Sequence, residues 1–191
     1  MREIKRVEQL IAEINKVHQR YSDDYFETGK TPKINLKRTL EKVPQSHIYQ
    51  YRLILHESIN DYLFEADIDF PFYYRVKTSE SIAHKISRFE ERPEKYPVNK
   101  WLNDIFGCRM IIDTADFDLV EEFIDQWEKE YGLKNWYKRE AAEYRGIHIY
   151  FKNESNFYFP WELQLWDEKD AKRNIQSHRK YKRTFVEGIE E

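Results

Sequence analysis

The spacing of apolar residues changes from a helical to a strand-like period partway along the chain, and this order constrains the fold. A stripe of Ile and Val residues predicts an amphipathic helix over residues 3–20, and a second stripe predicts another over 48–64. The polar segment 22–46 between them contains Gly and Pro and is predicted to be an irregular connection. Over residues 68–77 the apolar side chains alternate strictly, which predicts a strand with one buried face.

The rest of the chain continues with further strands and helices. The predicted elements are a helix capped by Thr78 or Ser79 and running to about 91, a strand at 108–112, a helix capped by Asp116 and ended by Gly132, a short strand at 134–139, strands at 145–151 and 157–166, and a helix at 168–185. This order predicts one α+β domain, with a mixed sheet of four or five strands flanked by helices.

The composition excludes several classes of protein. Cys108 is the sole cysteine, which excludes a disulfide framework and a cysteine-based zinc site. No run approaches eighteen apolar residues and the mean hydropathy is -0.90, so no membrane span is expected. The formal net charge of -3 gives no global bias toward nucleic acid. These properties predict an ordered, globular protein of the cytoplasm with no membrane partner.

A cluster of cations is predicted where the first strand meets the following helix. Arg75 and Lys77 share the strand face opposite the apolar residues, at its carboxyl end. Ser81, Lys85 and Arg88 form one stripe of the helix, at i, i+4 and i+7. A strand end followed by a helix start is a favoured anion site, because free backbone N–H groups and the helix dipole assist the side chains. No glycine-rich phosphate loop is present, so the cations themselves are predicted to bind a polyphosphate.

Two acids lie where packing alone does not favour them. Asp104 stands just before the strand at 108–112, with Gly107 allowing close approach and Arg109 nearby, which suits Mg²⁺ and phosphate. Taken alone, Asp104 is more simply interpreted as a loop-capping residue. Glu162 lies in the middle of an otherwise aromatic strand and shares its face with Gln164.

The strand at 145–151 places His148 on its outward face, with Gly146. Arg145 begins this strand, and Tyr144 before it is predicted to be an exposed aromatic ring. Acids, a cation cluster and a flat ring are the parts that phosphoryl-type transfer needs, for holding metal, polyphosphate and nucleobase respectively.

Five segments resemble motifs of the RelA/SpoT-type alarmone synthetases, in the same order. Residues 75–88 are similar to R-x-K-x-x-x-S-I-x-x-K-x-x-R, 104–109 to D-I-A-G-I-R, 143–148 to G-Y-R-S-x-H, 162–164 to E-I-Q, and His178 with Tyr181 and Lys182 to H-x-x-Y-K. The resemblance covers roughly residues 68–183. It implies the nucleotidyltransferase-like RelA/SpoT synthetase fold over 67–191, preceded by an N-terminal helical extension over 1–66, in one compact domain.

The resemblance implies a GTP pyrophosphokinase, which moves the β,γ-diphosphate of ATP onto the ribose 3′-hydroxyl of GDP or GTP, with Mg²⁺ as cofactor. The residues that would hold the ATP phosphates are Arg75, Lys77, Ser81, Lys85 and Arg88. Asp104 would bind Mg²⁺, Glu162 would be a second metal ligand or the base, and Arg109 would support the site electrostatically. The acceptor would be contacted by Tyr144, stacked on guanine, and by Arg145, His148 and Gln164.

The departures from the family motifs fall mainly on the acceptor side. Trp166 and Asp167 replace an Arg and a Thr after the E-I-Q motif, Glu143 and Gly146 replace a Gly and a Ser, and Phe106 replaces an Ala.

Two alternative functions stay open. One is a toxin-type family member that modifies the 3′ end of tRNA, for which the last helix offers Lys169, Lys172, Arg173, Arg179, Lys180, Lys182 and Arg183. The other is a non-catalytic nucleotide sensor, against which the intact Asp104 and Glu162 argue.

The sequence leaves homo-oligomerisation open. Nine residues follow Lys182, so the C-terminal helix that helps some small synthetases to oligomerise is expected to be absent.

Overall fold

The computed structural model of the chain describes residues 1–28 and 31–187, with side chains to residue 179. The elements in chain order are α1 (Arg2–Thr28), α2 (Gln45–Phe64), β1 (Tyr73–Val76), α3 (Ser79–Glu90), α4 (Val98–Trp101), β2 (Phe106–Ile112), α5 (Thr114–Tyr131), β3 (Leu133–Ala141), β4 (Tyr144–Phe151), β5 (Trp161–Asp167) and α6 (Glu168–Glu187). None of the helices in these ranges is long and apolar enough to cross a bilayer.

The strands form one five-stranded sheet in the order β1-β2-β5-β4-β3. β2 and β5 run parallel, and the other neighbouring pairs are antiparallel. The predicted α+β class with a mixed sheet is therefore confirmed. The parallel pairing sets Gly107 beside Glu162 and Arg109 beside Gln164, so the segment that follows Asp104 lies next to the strand that carries the second acid.

Side-chain caps define the starts of two helices. Thr78 caps α3, as predicted, by accepting a hydrogen bond from the backbone N–H of Ser81. The prediction that Asp116 caps α5 is wrong, because Asp113 has this role and accepts from the N–H of Asp116. The Asp116 carboxylate instead accepts from the N–H of Glu3, which ties α1 to α5. Gly132 ends α5 in the left-handed region, with φ of 67°, as predicted.

Two strands are shorter than predicted, and a proline precedes each of them. The strand predicted at 68–77 begins only at Tyr73, after Pro71, and the one predicted at 157–166 begins at Trp161, directly after Pro160. Proline lacks the N–H that a ladder of hydrogen bonds requires. The alternation also fails to predict burial in β1, because this strand lies at the edge of the sheet and leaves Tyr74 44% exposed.

One hydrophobic core joins the first helices to the sheet. Buried side chains of α1 and α2, such as Ile11 and Leu55, belong to the same cluster as Leu163 of β5 and Val120 of α5. α1 packs against both α2 and α5. α6 packs against β4, β5 and β2, and its His178 contacts rings on the other face of the sheet. One sheet face is thus filled by core, which leaves the opposite face for a site.

We expect Ile11→Ala to lower the free energy of unfolding by about 2–5 kcal/mol, because Ile11 is fully buried and its loss leaves a cavity in the shared core. Urea denaturation of the full chain measures this change. Leu53→Ala in α2 is the control, since Leu53 is 49% exposed and should change stability by less than about 0.5 kcal/mol. Equal, small effects at both positions would show that α1 does not contribute to the core.

Candidate active site

The sheet face away from the core brings together most of the predicted site residues. Side chains alternate along a strand, so the register decides which of them become neighbours. Two rows cross this face, and both include residues that no sequence motif had singled out. The first row is Arg75, Gly107, Glu162 and Tyr150, and the second is Tyr73, Arg109, Gln164, His148 and Tyr137.

Three cations surround the carboxylate of Asp104. Lys77 Nζ lies 2.6 Å from Oδ2, Lys85 Nζ lies 2.9 Å from Oδ1, and Arg75 Nη2 lies 3.7 Å from Oδ2. Burial raises the pKa of Asp104, but the opposing charges of Lys85, Lys77 and Arg75 outweigh it and hold the pKa well below its usual range. Asp104 is therefore ionised, and the cluster carries an excess of positive charge.

The backbone on either side of Lys77 is held by distant parts of the chain. The N–H of Lys77 donates to the carbonyl of Ile105, at 2.7 Å, which joins the end of β1 to the loop carrying Asp104. The carbonyl of Lys77 accepts from Nε of Arg52 in α2, at 3.0 Å. Burial lowers the pKa of the Lys77 ammonium, although Asp104 acts in the opposite direction. No sequence motif pointed to Arg52, whose role depends on how α2 packs.

Arg75 links the two acids of the site. Its Nη2 lies 3.7 Å from Asp104 Oδ2 and 3.7 Å from Glu162 Oε2. Glu162 is 3% exposed, and burial raises its pKa, but the hydrogen bond from His148 and the charge of Arg75 outweigh this effect and hold the pKa below its usual range. Glu162 is thus ionised as well. Gly107 lies beside this carboxylate, and a Cβ there would be 3.6 Å from Oε2, so its missing side chain leaves room above Glu162.

Three hydrogen-bond donors surround the Glu162 carboxylate. Oε1 lies 2.8 Å from His148 Nδ1 and accepts from the Tyr150 hydroxyl at 3.0 Å, while Oε2 accepts from Gln164 Nε2 at 2.8 Å. An ionised carboxylate can only accept, so His148 Nδ1 carries a proton. Tyr150 lies on the same face of β4 as His148 and was not among the predicted site residues.

A second set of hydrogen bonds fixes the other side of the His148 ring. The Tyr144 hydroxyl lies 2.8 Å from His148 Nε2 and accepts from Trp166 Nε1 at 3.0 Å. The indole N–H is a donor only, so the Tyr144 proton is available to His148 Nε2. Burial raises the pKa of Tyr144 to about 12, which keeps this proton in place at neutral pH. Trp166, Tyr144 and His148 thus form a chain of donors that ends at Glu162.

The prediction that Tyr144 is an exposed ring is wrong. Tyr144 is 5% exposed, and its ring packs edge-on against both Trp166 and His178. The space above Gly146 is not open either. A Cβ at Gly146 would lie 2.9 Å from the Tyr144 hydroxyl and 3.0 Å from Trp166 Cδ1. In this position Tyr144 orients His148 and does not present a ring face to a nucleobase.

Arg145 was predicted to contact the acceptor, but the structure places it on the opposite face of the sheet. The alternation that points His148 into the site points Arg145 toward α5. There its guanidinium pairs with Asp167 at 3.1 Å and Asp118 at 3.2 Å, and it lies over the ring of Phe117. Arg145 therefore does not join the site.

The remaining predicted residues differ in how closely they approach the acids. Arg109 donates to Gln164 Oε1 at 2.8 Å and lies 3.6 Å over the Trp166 ring, and burial lowers its pKa to about 10. Ser81 is in the first turn of α3, and Arg88 is exposed almost one turn beyond Lys85.

The basic patch predicted on the last helix is only partly within the described side chains. Lys169, Lys172, Arg173 and Arg179 are exposed on α6. Lys169 pairs with Asp167, and Arg173 pairs with Asp170. The side chains of Lys180, Tyr181, Lys182 and Arg183 lie outside the described part.

The donor set suits Mg²⁺ held jointly by protein and substrate. In the described part of the chain, no three His, Cys, Asp or Glu side chains are grouped so that they could hold a metal by themselves. Mg²⁺ commonly uses one or two carboxylates and takes its other ligands from phosphate and water. Asp104 and Glu162, both ionised and both within 3.7 Å of the same Arg75 nitrogen, fit this mode of binding.

Comparison with known proteins finds similarity among solved structures only. No family model matches the chain, and no curated protein matches it. A GTP pyrophosphokinase family protein from Streptococcus pneumoniae is 22% identical over 75% of each chain, with a TM-score of 0.44. The small alarmone synthetase 1 from Bacillus subtilis is 19% identical over 74% of this chain and 76% of that one, with a TM-score of 0.42. Another structure of that synthetase, bound to its product pppGpp, is 15% identical over 74% and 75%, with a TM-score of 0.43.

These neighbours bear the names of the family that the sequence motifs resemble.

We expect Gly146→Ala to destabilise the protein by about 1–3 kcal/mol, because the new methyl group would displace Tyr144 or Trp166 from a packed position. Thermal unfolding of the purified variant measures this change. Gly107→Ala in β2 of the same sheet is the matched control, because a Cβ there meets no atom closer than 3.6 Å. An unchanged melting temperature for Gly146→Ala would show that the Tyr144–Trp166 contact is loose.

Proposed function

We propose that the protein is a GTP pyrophosphokinase, which transfers the β,γ-diphosphate of ATP to the ribose 3′-hydroxyl of GDP or GTP. The observation that carries this proposal is the pair of ionised acids linked by Arg75, with Lys77 and Lys85 bound to one of them. Such a transfer requires cations that bind the polyphosphate. It also requires a second acid, one that is not paired with a lysine, to accept the hydroxyl proton.

The cations around Asp104 form the donor half. In the free protein Lys77 and Lys85 neutralise Asp104, and a bound triphosphate offers them alternative partners with more negative charge. With the lysines paired to phosphate, Asp104 and Glu162 are the residues that would hold Mg²⁺. The metal would supply neutralisation of phosphate charge. Ser81 and Arg88 lie along α3 on the same side as Lys85 and would extend the contact with phosphate.

Glu162 forms the acceptor half and is proposed as the proton acceptor. The acceptor 3′-oxygen attacks the β-phosphorus of ATP, the bond from that phosphorus to the α-phosphate oxygen breaks, AMP leaves, and the hydroxyl proton passes to Glu162 Oε2. Phosphoryl transfer has a loose transition state, with little demand for a strong base, so a carboxylate of low pKa suffices. The bonds from His148, Tyr150 and Gln164 hold this carboxylate in one orientation.

A transfer assay tests the activity and the acceptor together. We expect the protein to move label from β,γ-labelled ATP to GDP or GTP in the presence of Mg²⁺. Label found instead on tRNA would support the toxin-type alternative, and tight ATP binding without transfer to any acceptor would support the nucleotide sensor.

We expect Asp104→Asn to reduce turnover at least tenfold, because it removes the charge that holds Mg²⁺ while keeping the side-chain shape. Initial rates of label transfer measure this change. The control is Asp118→Asn, which removes a carboxylate whose side chain is 58% exposed on the opposite side of the sheet. If Asp104→Asn retained more than about a tenth of the wild-type rate, Asp104 would not be a metal ligand.

Lys85→Gln should raise the KM for ATP about tenfold or more, because a charge-assisted contact with phosphate is replaced by a neutral one. The KM for the acceptor should change little, since Lys85 lies on the Asp104 side of Arg75. Steady-state kinetics with each substrate varied in turn give both values. Lys95→Gln, an exposed lysine beyond the end of α3, is the control. Equal weakening of both substrates would contradict the assignment of Lys85 to the donor.

A further inference from the structure

Tyr137 on β3 presents an accessible aromatic ring on the site face. It pairs with His148 across β3 and β4, and the two rings are stacked with centroids 4.8 Å apart and planes 2° from parallel. Tyr137 is 43% exposed, whereas Tyr144 is 5% exposed. β3 is the edge strand of the sheet, so among the described residues no further strand covers the side of Tyr137 that faces away from His148.

The hydroxyl end of Tyr137 is close to the proposed proton acceptor. The Tyr137 and Tyr150 hydroxyl oxygens are 3.3 Å apart, and Tyr150 donates to Glu162 Oε1 at 3.0 Å. Two hydrogen bonds therefore connect Tyr137 to Glu162, a span comparable to that between a nucleobase and the hydroxyls of its own ribose. A base on the Tyr137 ring would leave its ribose within reach of the carboxylate.

The position of Tyr137 in the sheet distinguishes acceptor from donor. The cations proposed for ATP are at the β1 edge and on α3, Glu162 is on the central strand β5, and Tyr137 is at the opposite edge. A nucleotide over Tyr137 therefore approaches Glu162 from the side away from the ATP phosphates. Arg139 is exposed two residues along β3 on the same face, where it can meet the 5′-phosphates of such a nucleotide.

We propose that Tyr137 is the stacking platform for the purine base of the acceptor nucleotide, a role that the sequence motifs had indicated for Tyr144. This inference rests on the proposed function, because it takes the acceptor to be a free guanine nucleotide. The stacked His148 ring, itself held by Glu162 and Tyr144, keeps the Tyr137 ring in place, so little side-chain entropy is lost when a base binds.

Calorimetric titration of the full chain with GDP, in the absence of ATP, tests the platform without requiring turnover. We expect Tyr137→Ala to weaken GDP binding about ten- to hundredfold, as aromatic-base stacking does elsewhere. Tyr137→Phe keeps the ring and should remain within about threefold of wild type. Tyr73→Ala is the matched control, because Tyr73 is 61% exposed on the same row at the opposite edge of the sheet, and its GDP affinity should be unchanged.

Unchanged GDP affinity in Tyr137→Ala overturns the proposal, as does an equal loss in Tyr137→Phe or in Tyr73→Ala. Melting temperatures are measured for all variants, and a Tyr137→Ala loss explained by a reduced folded fraction also overturns it. Failure of the wild-type protein to bind GDP at millimolar concentration also overturns the proposed role of Tyr137. GDP binding that depends on the Tyr137 ring, in a protein that transfers no label, supports the platform while the proposed function fails.

Discussion

The site depends on one carboxylate that is shared by three cations. Without Asp104, the charges of Lys77, Lys85 and Arg75 would repel one another within a few ångströms, in a setting where partial burial strengthens electrostatic interactions. The same cluster joins the end of β1, the second turn of α3 and the loop before β2. Folding therefore brings three cations together around the single carboxylate of Asp104.

The second acid is positioned in a different way. The pKa of Glu162, which burial raises, is held low chiefly by the hydrogen bond from His148 on β4 and less by the charge of Arg75. Because β5 is central, its side chains are covered on both faces, and each polar group there needs a partner. His148, Tyr150 and Gln164 meet this need and at the same time orient the carboxylate. The two acids thus stay close together without sharing a proton, since Arg75 lies between them.

Local rules were sufficient for much of the fold and for the sheet face on which several predicted site residues lie. Helical and alternating periods predicted the order of the elements, and alternation placed Arg75, Lys77 and Glu162 on one face, because period two is a property of each strand by itself. Burial of Tyr144 could not be predicted in this way, since it requires α6 to fold across the end of the sheet and place His178 against the ring.

Other misses have equally specific causes. Arg145 follows the same alternation as its neighbours, so the strand pattern already opposed its assignment to the acceptor. The contribution of Arg52 depends on the packing of α2, a helix far from every motif. Tyr137 is one of fourteen tyrosines, and only the strand register shows which ring lies over His148.

The crowding above Gly146 couples two positions at which the chain differs from the motifs that it resembles. The motif has Ser where this chain has Gly146 and Arg where it has Trp166, and a Cβ at 146 would lie 3.0 Å from the indole. A serine side chain at 146 would meet the indole of Trp166, whereas Gly146 leaves room for it. Each of the two residues therefore sets the cost of a substitution at the other, which makes positions 146 and 166 an epistatic pair.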